Sequence, residues 1–335
     1  MSKQLDFVTN RRAPLGDVGI ELEVERKPTW TGDWPHVRNW VAKSDGSLRN
    51  GIEYITRTPV KADEKLKTRI GSLVDAIKDN VTDNSARTSC HVHVNCLRLT
   101  PLQMMNGVFS FWLAEEIISD YWGEERKGNN YCRRLSEWSD ISSVVRNIID
   151  DRFYGIGISH ATSGLERYSS CNMAAFTKHG SVEFRGMRGT VDTDVLHKWV
   201  NTVVHVMHTA SKRYKTPKHI FDNYLNTSNV EDFLKKIIGP HIAEHMVFDE
   251  RHIDLVNDNA IKLATFAHYF DEMDSSWEEW EEKLIAKREQ QTTVASTVAT
   301  ATRDAVRSTA EYFAVDPVVS DNYFTNTLRR FTERG

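Results

Sequence analysis

The stretch that decides the fold is Gly19-Ile20-Glu21-Leu22-Glu23-Val24-Glu25, in which apolar residues alternate with glutamates. Side chains alternate across a β-strand, so the three glutamates share one face while Leu22 and Val24 point toward the other. Neighbouring carboxylates on that face lie about 7 Å apart, and each pair repels by about 2 kcal/mol at an effective dielectric near 20. An enclosed face of this kind needs a cation to offset the repulsion. A solvated outer face, screened by water, is the alternative.

Three more stretches place ionisable residues at alternate positions of a predicted strand. They are CHVHVNC (90–96), SVEFRGMR (181–188) and, after the turn Asp45-Gly46-Ser47, GIEYIT (51–56). A fifth strand, CNMAAFT (171–177), is predicted to form a hairpin with the 181–185 strand through a turn at 178–180. Four such strands predict a sheet with one apolar face and one face that carries the chemistry.

Helical patterns surround these strands. One helix is predicted over residues 101–120, with Thr100 as N-cap and Pro101 at the first position, and another over 66–78. From Asp192 onward the pattern is helical with no clear strand. The sequence therefore predicts an α+β protein with a catalytic core at residues 1–192 and a helical region at 193–335.

The overall composition excludes several classes of protein. The chain has 335 residues, 40% of them hydrophobic and 27% charged, and a net charge of −4. This profile is typical of a globular protein, and neither nucleic acid nor a membrane is the expected partner. The four cysteines form no CxxC pair, and the first residues resemble no export signal, so we expect reduced thiols in a cytoplasmic protein. The oligomeric state is left open.

The residue types on the charged face indicate what it binds. Several carboxylates and a histidine beside arginines suit a hard divalent cation that holds a polyphosphate. Arg185 and Arg188 are suited to phosphate by bidentate hydrogen bonding. A structural salt bridge with a nearby acid is the alternative for Arg188 and for Arg167.

Two other metal patterns compete with this interpretation. His91-x-His93 with a carboxylate would suit zinc in a hydrolase. His241-Ile242-Ala243-Glu244-His245 matches the inverted metalloprotease pattern HxxEH, which a surface helix beginning near Pro240 also explains. Dinucleotide-binding, P-loop and hydrolase-elbow motifs are absent from the sequence.

The ordered set of motifs resembles the amidoligases of phages, bacteria and fungi, which are carboxylate-amine ligases of the glutamine synthetase and glutamate-cysteine ligase superfamily. The matching pieces are Gly19-x-Glu21-x-Glu23, Asp45-x-Ser47 with Gly51-x-Glu53, His91-x-His93-x-Asn95, Arg167 with Asn172, and Val182-Glu183-Phe184-Arg185. The resemblance implies a phage-type member in which a curved antiparallel sheet forms a half-barrel with flanking helices. It also implies ATP with two or three Mg²⁺ ions, or Mn²⁺, on the concave face.

The resemblance further implies roles for individual residues. The expected metal ligands are Glu21, Glu23, Glu53, His93 and Glu183. The expected catalytic residues are Glu53, Arg185 and Arg167, and the expected ATP contacts are Arg185, Arg188, Asn95 and Ser47. The roles of Glu25 and His91 stay open.

The predicted function is an ATP- and Mg²⁺-dependent ligase that joins a carboxylate to an amine through an acyl phosphate. The substrates would be small molecules or peptides, met in the host cytoplasm if a phage encodes the protein. A zinc hydrolase and a catalytically silent binding or inhibitor protein on the same fold are the alternatives.

Overall fold

The computed structural model describes residues 17–82, 85–137 and 167–265, together with helical positions 282, 286, 289, 290, 293 and 300. The chain divides into two compact units, residues 1–284 and 285–335. The strands and helices named below lie in the first unit. In the second, the described positions are helical, and the Thr293 hydroxyl donates to the carbonyl of Glu289 at 2.8 Å.

One antiparallel sheet forms the centre of the first unit. Its strands are β1 (Asp17–Arg26), β2 (Trp40–Lys43), β3 (Gly51–Thr56), β4 (Val60–Lys61), β5 (Val81–Thr82), β6 (Cys90–Asn95), β7 (Cys171–Asn172) and β8 (Ser181–Phe184). The spatial order is β2-β3-β1-β6-β8-β7, and the short strands β4 and β5 also pair with β1. The α+β class and the antiparallel sheet are therefore confirmed. The glutamine-synthetase-like half-barrel stays a prediction.

Helices cover the apolar face of this sheet. They are α1 (Glu64–Ile77), α2 (Pro101–Trp122), α3 (Ala175–His179), α4 (Thr193–Arg213), α5 (Pro217–Leu225), α6 (Val230–Ile238) and α7 (Glu250–Ala264). The sheet contributes Leu22, Val24 and Phe184 to the core, and the ring of Phe184 lies 4.9 Å from that of Phe111 in α2. α2 packs along α4 and α7. The glutamates of β1 consequently lie on the face away from the helices.

The helix starts predicted at Thr100 and Asp192 are confirmed, whereas α1 begins two residues before the predicted range of 66–78. Asp63 caps α1, and its carboxylate accepts from the backbone N–H groups of the first turn. Thr100 forms a reciprocal capping box with Gln103 before Pro101. Asp192 caps α4 in the same way as Asp63. These caps accept hydrogen bonds from backbone N–H groups of the first turn, which have no carbonyl acceptor within the helix.

The predicted hairpin over 171–185 is wrong in part. β7 contains only Cys171 and Asn172, and the chain then forms the short helix α3. The Asn172 carboxamide oxygen accepts from the backbone N–H of Ala174 at 3.0 Å, and this turn leads the chain out of the strand. Gly180, at a φ of 63°, ends α3 and allows the return into β8.

The helix expected around the HxxEH sequence is also absent. α6 ends at Ile238, and only residues 243–245 form a single 3₁₀ turn. Gly239, with a φ of 83°, carries the chain out of α6. Glu244 lies 3.6 Å from the Lys198 ammonium. The face that would bring two histidines and a glutamate to one metal ion does not form here.

The helices after residue 193 pack on α2 and on α1. The division between residues 1–192 and 193–335 stays a prediction, and beyond residue 265 it falls largely outside the described residues. All four cysteines are buried free thiols, as expected. In the described part of the chain, no helix has both the length and the apolar character needed to cross a bilayer.

Candidate metal and nucleotide site

Strand pairing aligns one row of polar residues across the centre of the sheet. Glu23 of β1 faces Glu53 of β3, and Glu53 faces Lys43 of β2. On the other side of β1, the backbone N–H of Glu23 donates to the carbonyl of Ser89 at 2.8 Å. The Ser89 hydroxyl also donates to the Glu23 carboxylate. The row therefore places two carboxylates between a lysine and a serine.

A second group of residues continues the same face toward β7. Glu21 of β1 faces His91 of β6, and His93 faces Glu183 of β8. Asn172 of β7 also faces Glu183, and its amide donates to Glu183 Oε2 at 2.6 Å. His91, His93 and Glu183 are all less than 5% exposed. The predicted clustering of these residues on one face is what the strand register produces.

A hydrogen-bond chain links His91 to Glu23. Ser89 Oγ lies 2.6 Å from His91 Nε2. A hydroxyl has one proton, and that of Ser89 goes to Glu23, so His91 Nε2 carries the proton that it shares with Ser89. His91 Nδ1 then faces Glu21 at 3.3 Å and Glu183 at 3.4 Å. Ser89 therefore positions the Glu23 carboxylate and has no free base to activate it as a nucleophile.

His93 lies between two carboxylates. Its Nε2 is 3.5 Å from Glu21 Oε1 and 3.8 Å from Glu183 Oε1, while Nδ1 bonds the Ser181 hydroxyl at 3.0 Å. Burial lowers the pKa of His93, but Glu183 and Glu21 together raise it above its ordinary value. The two acids therefore favour the protonated form of His93 when no metal ion is bound.

Arg185 compensates Glu183 from the other side through an ion pair between Nη1 and Oε1. Burial raises the pKa of Glu183, but Arg185 and the nearby histidines lower it below the ordinary value. Burial likewise raises the pKa of Glu21, while His93 and His91 bring it well below the usual range. Both carboxylates therefore remain charged at neutral pH.

In the described part of the chain, Glu53 forms no ion pair, and the side chain to which it is hydrogen-bonded is another acid, Glu21. Burial, together with the charges of Glu21 and Glu23, raises the pKa of Glu53 to about 9. Glu53 is therefore protonated near pH 7 when no cation is bound. A divalent ion beside these acids would remove the proton, because a nearby positive charge favours the carboxylate form.

Among the described residues, potential ligand atoms lie within 4.8 Å of one another in three overlapping groups. The groups are Glu21, Glu53 and His91; Glu21, His93 and Glu183; and Glu23, Asp45 and Glu53. Neighbouring groups share Glu21 or Glu53, as in a site for more than one ion. Each group is rich in oxygen ligands, which Mg²⁺ and Mn²⁺ prefer. None of the three contains both histidines, so the geometry does not favour the HxH zinc site.

Two of these ligand candidates were not among the metal ligands that the family resemblance implied. Asp45 was identified only as part of a turn, and its carboxylate accepts from the Ser47 N–H at 2.7 Å. This bond holds Asp45 at the side of the sheet where Glu53 lies. His91 was considered as a ligand only in the alternative zinc site, and its role beside Mg²⁺ was left open.

Other predicted site residues line the edges of this face. Ser47 lies in the turn before β3, where the Arg87 guanidinium donates to its carbonyl at 2.8 Å. Asn95 is buried at the end of β6. Glu25 accepts from the backbone N–H of Arg49 at 2.7 Å and belongs to none of the three ligand groups.

The two remaining arginines have other contacts. Arg188 donates to the carbonyl of Tyr121 at 3.3 Å and lies 3.8 Å from a Glu125 carboxylate oxygen. Arg167 is exposed, with its guanidinium 4.8 Å from the ring centroid of Tyr168. Among the residues that the structure describes, neither arginine forms a hydrogen bond or an ion pair with the carboxylate face, and their roles in binding ATP or in catalysis stay predictions.

The fold and the site together define an α+β protein whose antiparallel sheet presents a buried cluster of carboxylates and histidines beside an arginine. Residues 43–207 match the sequence model of a family described as "Putative amidoligase enzyme". Through this segment, which is just under half of the chain, the protein is similar to the amidoligase family. The match covers β3, β6 and β8 but begins after β1, so Glu21 and Glu23 lie outside it. No curated protein matches the chain. Membership of a phage-type group stays a prediction.

Proposed function

We propose that the protein is an ATP- and Mg²⁺-dependent carboxylate-amine ligase that forms an amide or isopeptide bond through an acyl phosphate. The observation that carries the proposal is the set of three overlapping ligand groups on one sheet face, bordered by Arg185. The match to the amidoligase family supports the reaction class.

The donor atoms fit Mg²⁺ or Mn²⁺. Glu21, Glu23, Glu53 and Glu183 supply oxygen atoms, and His93 adds one nitrogen that Mn²⁺ tolerates. The raised pKa of Glu53 agrees with this fit, because burial and the neighbouring acids Glu21 and Glu23 are its main causes. Bound Mg²⁺ would neutralise charge on the phosphoryl group that is transferred.

Arg185 has a donor suited to a phosphate oxygen. Its Nη1 bonds Glu183, while Nε is buried and has no hydrogen-bond partner among the described residues. A buried donor without a partner is costly. A phosphate oxygen beside Arg185 would satisfy this donor and receive a charge-assisted hydrogen bond.

The chemistry follows from the poor reactivity of a carboxylate as an acyl donor. A substrate carboxylate oxygen takes the γ-phosphoryl group of ATP, the bond from the γ-phosphorus to the bridging oxygen breaks, and ADP leaves. The amine then attacks the acyl carbon, inorganic phosphate leaves, and the amine loses a proton. Glu53 and Arg167 are the proposed catalytic residues beside Arg185, and Arg188, Asn95 and Ser47 are proposed ATP contacts.

Calorimetry with metal-stripped protein tests this function. The protein is titrated with a non-hydrolysable ATP analogue in the presence of Mg²⁺, Zn²⁺ or chelator. We expect binding that requires Mg²⁺ and weakens at least about tenfold in Glu183→Gln, a loss of about 1.4 kcal/mol. Glu116→Gln is the matched control, because Glu116 is equally buried but pairs with Arg134 away from this face.

Other outcomes would identify the alternatives. Stoichiometric zinc binding without nucleotide binding would favour a hydrolase, and nucleotide binding without turnover of any substrate pair would favour a silent binding protein. A screen of carboxylates and amines then follows ADP release, which is expected only when both substrates are present.

A further inference from the structure

A buried arginine lies behind the candidate site. Arg126 ends a short 3₁₀ helix, Glu124–Arg126, that follows α2. Its side chain is large and charged, yet the residue is only 2% exposed. Arginines are almost never fully buried without a partner that satisfies them.

The guanidinium of Arg126 binds two separate backbone segments. Nη2 donates to the carbonyl of Arg185 at 2.9 Å, and Nε donates to that of Gly186 at 3.3 Å. Nη1 donates to the carbonyls of Ala86 and Thr88, both at 3.4 Å. One planar side chain therefore joins the segment after β8 to the segment before β6.

The partners of Arg126 carry no formal charge. In the part of the chain that the structure describes, no carboxylate oxygen lies within 4 Å of its guanidinium. Burial lowers the pKa of Arg126, and Glu23 is one of the groups that oppose this shift. An apolar side chain of similar size would fill the same space without this cost. The charge and the forked geometry of Arg126 therefore call for an explanation other than packing.

The two segments that Arg126 joins both carry site residues. The first contains Arg185 itself, which pairs with Glu183. The second leads into Ser89, whose hydroxyl positions Glu23. The segments also contact each other directly, since the backbone N–H of Cys90 donates to the carbonyl of residue 187 at 2.9 Å.

We propose that Arg126 is a positioning residue whose fork fixes the backbone of Arg185 and the segment before Ser89 relative to each other. We call the hydrogen bonds from the Arg126 guanidinium to these two segments the clamp. By holding the Arg185 backbone, the clamp sets where the Arg185 guanidinium meets the phosphates of the nucleotide. This inference rests on the proposed function for its consequence in binding, but not for the clamp itself.

Two substitutions separate the fork from the charge. Arg126→Lys keeps the positive charge, but a single ammonium cannot reach four carbonyl groups on two segments. Arg126→Met keeps an unbranched chain and removes both charge and donors. If the fork is what matters, both variants lose function to a similar degree. If only the positive charge matters, Arg126→Lys keeps the function that Arg126→Met loses, and this result would overturn the proposal.

Arg134→Met serves as the matched control. Arg134 is also an arginine beside α2, but its guanidinium forms ion pairs with the side chains of Glu116 and Glu137. Its loss lowers stability without touching either clamped segment. All variants are compared at a temperature where circular dichroism shows each of them folded.

The clamp itself is tested in the absence of any ligand by amide hydrogen exchange. Arg126→Met and Arg126→Lys are expected to speed exchange at least about tenfold in residues 86–90 and 185–188, where opening releases the backbone. Arg134→Met should leave these amides unchanged. Unchanged exchange in both Arg126 variants would overturn the proposal, whether or not the protein binds a nucleotide.

The consequence for binding is tested by a double-mutant cycle with Arg185→Met. Affinity for the Mg²⁺ complex of the non-hydrolysable ATP analogue should fall at least about tenfold in Arg126→Met, and much less when Arg185 is already absent. Equal losses in both backgrounds would show that Arg126 does not act through Arg185. Absence of binding in the unmodified protein would contradict the proposed function, and the exchange result would still decide the clamp.

Discussion

Glu23 and Glu53 are direct cross-strand partners in the β1–β3 pair, so two acids lie side by side in the middle of the sheet. Like charges that face each other across strands destabilise a sheet. Burial and the nearby charges of Glu21 and Glu23 raise the pKa of Glu53 to about 9, far above its ordinary value of 4.5. In the metal-free protein, Glu53 therefore keeps a proton that it loses on unfolding at neutral pH.

This relationship predicts how stability depends on pH. The folded protein binds the Glu53 proton more tightly than the unfolded chain, so stability falls as pH rises from about 4.5 toward about 9. Glu53→Gln removes this pH dependence, because glutamine does not titrate. In metal-free protein, we expect the substitution to increase the free energy of unfolding by about 2 kcal/mol near pH 8, with little gain near pH 4.5. Urea denaturation of both proteins at a series of pH values measures the free energy of unfolding and its dependence on pH.

The control for Glu53→Gln is Glu244→Gln, since Glu244 is exposed and pairs only at the surface. Its effect should stay within about 0.5 kcal/mol at every pH. A Glu53→Gln variant that is less stable than the unmodified protein at pH 8 would contradict the prediction. It would show that the Glu53 carboxylate is charged and stabilised without metal.

Much of the fold could be predicted because its local signals agree with one another. The alternation in β1 and β6 and the helix starts at Thr100 and Asp192 each match the structure. The prediction failed at residues 173–179, where an Asn172 turn and two alanines favour a short helix over the continued strand. Alternation over so few residues does not distinguish the two.

Only part of the site could be predicted from the sequence, because the site depends on how strands pair. Alternation showed which residues share a face on one strand, but cross-strand register decides which of them meet. Asp45 reaches Glu23 and Glu53 only because a turn places it beside β3. Arg126 gave no sequence signal at all, since its partners are backbone carbonyls and any sequence provides those.

Two helix glycines are expected to respond oppositely to the same substitution. A Cβ added at Gly71 in α1 would meet Thr193 Cγ2 at 3.7 Å, an ordinary contact, so Gly71→Ala should stabilise by about 0.5 to 1 kcal/mol through helix propensity. A Cβ at Gly107 in α2 would overlap the Met207 side chain and lie 3.3 Å from its Cα. Gly107→Ala should destabilise by about 1 to 3 kcal/mol.

Thermal denaturation of the two glycine variants checks this difference directly, because each serves as the control for the other. If Gly107→Ala were as stable as Gly71→Ala, α2 and α4 would have to pack less closely than the structure shows.

The pair of Glu116 and Arg134 is expected to matter for stability but not for the site. Glu116 is 4% exposed and accepts from Arg134 and from the Ser136 hydroxyl at 2.9 Å. Arg134 is 33% exposed and keeps its pair with Glu137, so the cost comes from the lost buried hydrogen bonds of Glu116, and Glu116→Ala should cost about 2 kcal/mol. Asp222→Ala, which breaks the exposed pair with Lys218, should cost less than about 0.5 kcal/mol. Equal losses in urea denaturation would contradict the burial of the first pair.

Divalent cations should stabilise the protein through Glu23 and not through Glu25, although both lie on the same face of β1. Glu23 belongs to a ligand group with Asp45 and Glu53, whereas a Glu25 oxygen is already bonded to the backbone N–H of Arg49. A cation that binds only the folded state stabilises it by about 2.7 kcal/mol at a hundred times its dissociation constant. We expect Mg²⁺ or Mn²⁺ to raise the melting temperature of the unmodified protein and of Glu25→Gln by similar amounts, and to raise that of Glu23→Gln by less, because two of the three ligand groups do not contain Glu23. Equal shifts in both variants would place the ion elsewhere, and a loss confined to Glu25→Gln would move the site toward the Arg49 end of the strand.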